Sequence, residues 1–213
     1  RKFDIFEQID PYINYSKTKV VIFDVDGTLY NQQKLRFYML KHIFFYLLKH
    51  PLKLKEIRII NEFRKQRETR SGEKIENIEA AQYLWAAEKC NVNPDLVKEL
   101  VNKWIYEIPL RYLKKCRQTG LNRLFKKIKN NGIKIAIYSD YPSRKKLNAL
   151  NLRADLIVSS TDIEIDVFKP NPKGLKYIAD TLKQSISDCM FIGDRQDKDG
   201  VCALNAGMLY VIL

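Results

Sequence analysis

A short apolar run that ends in two aspartates constrains this chain more than any other segment. The run from Val20 to Phe23 is continuous and rich in β-branched residues, which is typical of a strand buried on both faces of a parallel sheet. The next residues, from Asp24 to Thr28, have the composition of a turn and include a second aspartate, Asp26. The sequence therefore predicts a strand that delivers two carboxylates to one edge of a sheet.

The second half of the chain alternates between segments of strand character and segments of helical character. Short β-branched runs are separated by stretches in which apolar residues recur every three or four positions. Strands that alternate with helices predict an α/β fold built on a parallel, Rossmann-like sheet. The predicted helices are 121–130, 144–152, 172–183 and 200–206, and the predicted strands are 133–138, 156–158, 190–192 and 208–213.

The middle third of the chain has helical character only. Four stretches suit helices, and none of them shows the alternation of a strand: 32–50, 54–69, 75–90 and 94–104. We therefore expect an all-helical cap inserted after the first strand, formed by residues 31–119. Residues 1–30 and 120–213 would then form the α/β core domain.

The positive charge is unevenly distributed along the chain. The formal net charge is +13, and residues 31–120 contain 19 Lys and Arg but 10 Asp and Glu. Such a field favours anionic partners, namely phosphate esters, nucleic acid or acidic lipid headgroups, while a solvated helix face explains any single lysine equally well. The run from Phe44 to Leu48 is apolar on every side, which suits a buried helix, a self-association face or a membrane-surface face.

Composition excludes several classes of protein. Hydrophobic residues make up 46% and charged residues 30% of the chain, which is ordinary for a globular protein and argues against global disorder. No apolar run of about 18 residues occurs, so no transmembrane segment is expected. The four cysteines have no zinc-binding spacing, and we interpret them as reduced thiols of a cytoplasmic protein.

Polar residues also follow the other predicted strands. Because the carboxyl ends of parallel strands form the ligand-binding edge of an open sheet, we expect these side chains to converge. Crowded carboxylates repel one another unless a cation lies among them, and an oxygen-only ligand set suits Mg²⁺. Both histidines lie in the helical stretches, which argues against zinc and a histidine base and leaves a carboxylate as nucleophile. The polar residues that follow these predicted strands are Ser139, Asp140, Lys169, Asp194, Asp197 and Asp199.

Four motifs, in this order, resemble those of the haloacid dehalogenase (HAD) superfamily. The first is DVDGTLY, which starts at Asp24, and the second is Ser139. The third is KPNP, which starts at Lys169, and the fourth is GD, which ends at Asp194 and is followed five residues later by Asp199. The resemblance covers nearly the whole chain. It implies a phosphatase-like hydrolase with a helical type-one cap, because the helical stretch lies between the first two motifs.

The resemblance also implies roles for the acidic motif residues. Asp24 would be the nucleophile that attacks phosphorus. Asp26 would protonate the leaving oxygen and later act as base for water, and its acidic neighbours predict a raised pKa for this carboxyl group. Asp24, the backbone carbonyl of Asp26, Asp194 and an auxiliary carboxylate would bind Mg²⁺. Asp197 and Asp199 are both candidates for the auxiliary carboxylate, and the spacing from Asp194 favours Asp199.

The remaining motif residues would hold the phosphoryl group. Ser139 and Lys169 would contact its oxygens, and with the two aspartates of the first motif they form the predicted catalytic set. Gly27 and Thr28 would shape the turn around the phosphate. Asp140 stands where many relatives carry Asn, and its charge is unfavourable beside a phosphate unless it points away; it is a candidate phosphate-binding residue.

The sequence thus predicts an Mg²⁺-dependent phosphatase that hydrolyses a small phosphorylated metabolite through an aspartyl-phosphate intermediate. A phosphomutase on the same scaffold is one alternative, and a non-catalytic protein whose basic cap binds nucleic acid or anionic lipid is another. The intact motifs favour the enzyme, so no specific nucleic-acid partner is expected. Basic residues of the cap suit either substrate recognition or a solvated helix face, namely Arg64, Lys65, Arg67 and Arg70.

Overall fold

The computed structural model describes residues 3–213, and its centre is a five-stranded sheet. The strands lie in the order β3-β2-β1-β4-β5, and each neighbouring pair is parallel. This arrangement confirms the predicted α/β fold with a Rossmann-like sheet. The strands are β1 Val20–Phe23, β2 Lys134–Ser139, β3 Leu156–Ser159, β4 Cys189–Gly193 and β5 Leu209–Ile212.

Helices flank the sheet and fill the segment between β1 and β2. Two of the predicted helices, 54–69 and 121–130, have the predicted bounds, and most of the others differ by one to three residues at an end. The α-helices are α1 Ile5–Ile9, α2 Gln32–Lys49, α3 Leu54–Thr69, α4 Ile78–Cys90, α5 Pro94–Val101, α6 Leu110–Cys116, α7 Leu121–Asn130, α8 Arg144–Ala149, α9 Lys173–Thr181 and α10 Val201–Ala206.

Local structure differs from the sequence prediction at four places. The short helices α1 and α6 are not predicted. The helix predicted for 94–104 ends as an α-helix at Val101 and continues as a wider π-helical turn, Asn102–Glu107, in which the amide of Ile108 donates to the carbonyl of Lys103 at 3.0 Å. The helix predicted from residue 75 begins at Ile78, because the Asn77 side chain there accepts a hydrogen bond from the first-turn amide of Ala80.

We refer to residues 31–119 as the helical insertion. In the part of the chain that the structure describes, this segment forms helices and turns but no β-strand. It has an apolar cluster of its own, which includes Ile59, Phe63 and Trp104. Its last helix, α6, instead packs Leu113 and Cys116 against the apolar cluster on one face of the sheet. The helical insertion is therefore attached to the sheet through a shared core.

The position of β1 places its carboxyl end at the centre of one edge of the sheet. Phe23, the last residue of β1, is in register with Ile137 on β2 and with Ile192 on β4. In chain order, β2 and β3 lie on one side of β1, and β4 and β5 then lie on the other side. Such a reversal leaves a crevice at the strand ends where ligands bind in open α/β sheets.

Within residues 3–213, no helix combines the length and the apolar character that crossing a bilayer requires.

Candidate active site

Asp24 lies at the mouth of the crevice because β1 ends one residue before it. Its backbone amide donates to the carbonyl of Ile192 at 2.8 Å, which extends the β1–β4 ladder by one residue. Its side chain is buried, and the Thr28 hydroxyl donates to Asp24 Oδ2 at 3.2 Å. The turn that follows β1 thus holds the carboxylate of Asp24 in a fixed orientation.

Gly27 permits a close approach that any other residue would prevent. Its φ angle is +102°, a conformation that L residues rarely adopt. A Cβ atom at this position would lie 2.0 Å from Asp194 Oδ2, well inside van der Waals contact. Glycine therefore allows the turn after β1 and the loop after β4 to bring their carboxylates together.

Lys169 connects two of the buried carboxylates. Its ammonium group donates to Asp24 Oδ1 at 2.7 Å and to Asp199 Oδ1 at 2.6 Å. The other oxygen of Asp199 accepts hydrogen bonds from the backbone amides of Asp194 at 3.2 Å and Arg195 at 3.1 Å. Asp199 therefore fixes both the lysine and the loop that carries Asp194.

Three carboxylates form a cluster that could hold a divalent cation. Asp24, Asp194 and Asp199 each offer one oxygen, and these oxygens lie within 4.8 Å of one another. Among the described residues, Asp194 takes part in no ion pair, so its carboxylate remains available to a cation. The chemistry of this donor set, three carboxylates without a soft ligand, fits Mg²⁺.

The pKa values of the cluster indicate an excess of negative charge. Burial raises the pKa of Asp24 to about 8 against the opposing charge of Lys169, and the charges of Asp199 and Asp26 act in the same direction as burial. Burial, followed by the charge of Asp199, raises the pKa of Asp194 to about 6. One ammonium group does not compensate three clustered carboxylates, and a bound cation would remove this imbalance.

Asp26 has surroundings different from those of the cluster. Lys146, on α8, donates to both oxygens of its carboxylate, at 2.7 Å for Oδ2, and the hydroxyl of Tyr30 donates to Oδ1. Burial would raise the pKa of Asp26, but the charge and hydrogen bonds of Lys146 and the hydrogen bond of Tyr30 lower it below its usual value. The raised pKa predicted from the sequence is therefore wrong, because a lysine far along the chain lies against this carboxylate.

The second predicted motif lies beside the cluster at the end of β2. Ser139 is buried, lines the crevice and accepts a hydrogen bond from the amide of Tyr141 at 3.3 Å. The neighbouring Asp140 accepts hydrogen bonds from the Ser160 hydroxyl at 2.6 Å and from the backbone amide of Lys169 at 3.1 Å. The carboxylate of Asp140 thus supports the loop that presents Lys169, and the predicted phosphate contact of Asp140 stays a prediction.

The structure also places residues in the site that the sequence reasoning missed. Lys146 and Tyr30 contact Asp26. Lys198, which directly precedes Asp199 in the sequence, lines the crevice. Tyr30 belongs to the first motif itself, so its position close to Asp26 in sequence is a usable signal. Lys146 follows another lysine on a short helix, a pattern that reads as a solvated face, and nothing local distinguishes the buried lysine.

The helical insertion forms one wall of the crevice. The crevice has a volume of about 320 Å³, and the insertion contributes Gln32, Arg36, Arg64, Arg67 and Glu68 to its lining. Of the four basic residues proposed for recognition, Arg64 and Arg67 reach the crevice, whereas Arg70 stacks over the ring of Trp85 at 4.7 Å. The exposed guanidinium groups make this wall positively charged.

Arg67 is a contact between the helical insertion and the sheet rather than a free charge. Its guanidinium group is buried and lies over the rings of Tyr141, at 4.0 Å, and Phe168, at 4.3 Å. It also donates to the carbonyl of Asp140 at 2.6 Å and to the side chain of Gln82. Stacking of a guanidinium between aromatic rings, with its N–H groups hydrogen-bonded, makes a specific contact that lysine does not reproduce.

Two further contacts attach the helical insertion at the sheet edge. The carboxylate of Asp166 accepts hydrogen bonds from the backbone amides of Asn77 and Ile78, both at 2.7 Å, and so binds the start of α4. On the surface, Glu68 accepts from Arg195 and Lys198, both at 2.7 Å. The crevice is thus bounded on both sides by contacts between the insertion and the loops of the sheet.

The fold and the site define an α/β protein with a helical insertion after its first strand and a carboxylate cluster at the strand ends. A profile of haloacid dehalogenase-like hydrolases matches residues 18–207. The chain therefore belongs to this hydrolase family. Among curated proteins, none matches the sequence.

Solved structures with the same fold include proteins of different activity. A 2-haloacid dehalogenase from Pseudomonas syringae pv. Tomato DC3000 has a TM-score of 0.63 and 16% identity, over 92% of this chain and 86% of that one. A HAD phosphatase from Thermococcus onnurineus has a TM-score of 0.62 and 21% identity, over 92% and 86%. The HAD-hydrolase YfnB from Bacillus subtilis, bound to magnesium, has a TM-score of 0.64 and 16% identity, over 92% and 89%. These similarities establish the fold.

Proposed function

We propose that this protein is an Mg²⁺-dependent phosphatase that hydrolyses a small phosphorylated metabolite through an aspartyl-phosphate intermediate on Asp24. The observation that supports this proposal most directly is the shared position of Lys169 between Asp24 and Asp199, beside the carboxylate of Asp194. A cation and a lysine at a buried carboxylate suit a nucleophile that must approach a negatively charged phosphoryl group.

In the first step, a carboxylate oxygen of Asp24 attacks phosphorus, and the bond from phosphorus to the ester oxygen breaks. Thr28 and Lys169 hold the two oxygens of Asp24 in place, which limits the attack to one direction. Bound Mg²⁺, with Asp24, Asp194 and Asp199 as its carboxylate ligands, would neutralise charge on the phosphoryl oxygens. Lys169 and Ser139 would contact the same oxygens.

Asp26 suits the transfer of protons to and from oxygen. A phosphate entering beside Asp26 brings negative charge, which raises the pKa of the carboxyl group and favours its protonated form. It would give this proton to the departing ester oxygen. In the second step, the carboxylate takes a proton from water as the water oxygen attacks phosphorus, which releases phosphate and restores Asp24. Lys146 and Tyr30 hold Asp26 in position for both transfers.

The leaving group distinguishes this proposal from dehalogenation. A halide ion departs without a proton, so a dehalogenase would leave Asp26 without a task. Here Asp26 is held by two hydrogen-bonding partners at the edge of the crevice, an arrangement that favours an oxygen leaving group.

The helical insertion is proposed to act as the cap domain of this enzyme, residues 31–119, over a core of residues 1–30 and 120–213. It would exclude water from the crevice and contact the leaving group. Arg36 and Arg64 are exposed on its side of the crevice. We therefore propose that the preferred substrates carry a second anionic group, a carboxylate or another phosphate, beyond the phosphoryl group that is removed.

Release of inorganic phosphate from an aryl phosphate tests the activity. Wild type with Mg²⁺ should release phosphate, and both EDTA and the Asp24→Asn substitution should reduce the rate by at least about 10³-fold. Asp197→Asn is the matched control, because Asp197 is an exposed carboxylate that pairs with Arg195 outside the cluster. Equal rates for wild type and Asp24→Asn would refute the proposal. A transfer of phosphate within a sugar phosphate, without release, would indicate the phosphomutase instead.

A further inference from the structure

An apolar surface without a partner covers the outer side of the helical insertion. Phe37, Leu40, Phe44 and Leu48 on α2 are each more than half exposed, and Leu52 in the following turn is 95% exposed. Phe45 on α2 and Leu54 at the start of α3 are exposed as well. We call this surface, from residue 34 to residue 55, the basic apolar face.

The arrangement of the face along α2 is regular. At about 100° per residue, Phe37, Leu40, Phe44 and Leu48 fall within an arc of about 80° on one side of the helix. The opposite side of α2 packs on the protein, where Leu35 is buried. The exposed arc is therefore a continuous apolar stripe on an anchored helix, and apolar stripes of this kind usually contact another surface.

Positive charge surrounds the stripe. Residues 31–55 contain six Lys and Arg and no Asp or Glu. Among the described residues, Lys34, Lys41, Lys49 and Lys55 form no ion pair, and the ammonium group of Lys41 lies over the Phe37 ring at 4.4 Å. Exposed apolar side chains and unpaired lysines thus occur together along α2 and the turn that follows it.

We propose that the basic apolar face binds the surface of an anionic lipid bilayer. Aromatic and leucine side chains of such a face enter the boundary between headgroups and acyl chains, while lysines at its edge meet anionic headgroups. The proposal concerns peripheral binding and is independent of the proposed phosphatase activity.

The charge of the face argues against the other occupants. A second copy of this chain would bring two surfaces of the same sign together without an acidic residue between 31 and 55 to balance them. Nucleic acid is bound through cations placed along its phosphates, whereas the centre of this face is apolar. An anionic bilayer complements both the charge and the apolar stripe.

Binding to the bilayer would also set the position of the crevice. Gln32 and Arg36, from the first turns of α2, line the crevice. Phe37 of the basic apolar face follows Arg36 directly. A protein bound through this face would therefore hold the crevice wall close to the headgroups.

Sedimentation with lipid vesicles tests the proposal on the whole chain. The protein should bind vesicles of phosphatidylcholine with 30% phosphatidylglycerol by weight of total lipid at about 0.1 M salt, and bind pure phosphatidylcholine vesicles at least tenfold more weakly. Phe44→Gln with Leu48→Gln should weaken binding to the anionic vesicles about tenfold. Lys41→Gln with Lys49→Gln should weaken it about fivefold for each lysine.

Matched controls separate this face from general charge and hydrophobicity. Ile163→Gln and Leu204→Gln remove exposed apolar side chains elsewhere, and Lys126→Gln with Lys129→Gln removes two exposed lysines on α7. These controls should bind as wild type does, and circular dichroism should show every variant folded. Asp24→Asn should also bind normally, whatever its phosphatase activity.

Three results would overturn the proposal. The first is equal binding to neutral and anionic vesicles, and the second is equal loss of binding in the controls. The third is absence of vesicle binding by wild type. In that case, a dimer that Phe44→Gln disrupts would indicate self-association, and a duplex DNA complex that the lysine variants weaken would indicate nucleic-acid binding.

Discussion

Two regions of the molecule bury carboxylates beside lysine, and they do so with opposite electrostatic results. In the helical insertion, Glu56 accepts from Lys103 at 2.9 Å, from Tyr46 at 3.1 Å and from Trp104 at 3.2 Å, and Lys53 lies 3.2 Å from its other oxygen. Burial acts to raise the pKa of Glu56, but these donors lower it to about 2. One carboxylate is surrounded by enough donors to stay ionised.

At the sheet edge the balance is reversed. Asp24, Asp194 and Asp199 cluster around one ammonium group, and the pKa of Asp24 is raised to about 8. The donors around Glu56 balance its charge, so that arrangement needs no further ligand. The carboxylate cluster at the sheet edge requires a further positive charge. Strongly perturbed carboxylates that lack compensation indicate a functional site, and compensated ones do not.

Removal of Lys169 should have the largest effect on stability. Lys169→Met leaves the carboxylates of Asp24 and Asp199 buried without a counter-charge, and we expect the free energy of unfolding to fall by about 3–5 kcal/mol. Urea denaturation in EDTA measures this change. The exposed Lys176→Met on α9 is the control, and similar small losses in both variants would contradict the comparison.

Addition of Mg²⁺ should stabilise the sheet edge by a somewhat smaller amount. At 100 times its dissociation constant, a cation that binds only the folded protein adds about 2.7 kcal/mol. We expect Mg²⁺ to raise the melting temperature of wild type and of Asp197→Asn but not of Asp194→Asn, as measured by differential scanning calorimetry. An equal increase in Asp194→Asn would show that the ion binds elsewhere.

Neutralisation of Glu56 should affect stability and spare catalysis. Glu56→Gln removes the counter-charge of Lys103 and should lower the free energy of unfolding by about 1–3 kcal/mol, with the rate of phosphate release unchanged. Glu88→Gln, an exposed change in the same segment, should cost much less. A large loss of activity in Glu56→Gln would mean that this cluster also serves the crevice.

The stability contributions of Glu56 and Asp24 should change with pH in opposite directions. The folded-state pKa of Glu56 is lowered from 4.5 to about 2, so its contribution to stability is present above pH 4.5 and is lost as the pH falls toward 2. The pKa of Asp24 is raised from 3.8 to about 8. Its contribution to stability is therefore present below about pH 4 and is lost as the pH rises to 8. In EDTA, unfolding free energies measured against pH should flatten over the acid range in Glu56→Gln and over the neutral range in Asp24→Asn.

The sequence predicts the elements whose signals are local. A continuous run rich in β-branched residues, as from Val20 to Phe23, predicts a buried parallel strand. The candidate catalytic and metal-binding residues directly follow such strands. The structure brings Asp24, Asp194 and Asp199 together as this reasoning expects. The position of the site at the strand ends thus follows from the sequence pattern, whereas the order of the strands comes from the structure.

Interactions between distant residues are not predicted. The pKa of Asp26 depends on Lys146, which lies 120 positions later in the chain, and no local pattern marks that lysine as buried. The short helix α6 also carries little periodicity, since its seven residues include two lysines. These features depend on tertiary packing, which overrides local preference.

The contact made by Arg67 determines how the helical insertion responds to ionic strength. At about 1 M salt the screening length falls to about 3 Å, which weakens the exposed pairs of Glu68 with Arg195 and Lys198. The buried guanidinium, stacked between Tyr141 and Phe168, is shielded from the added ions. Concentrated salt would therefore weaken the contact at Glu68 and leave the contacts of Arg67 and the shared core at α6 in place, so that the insertion stays attached to the sheet.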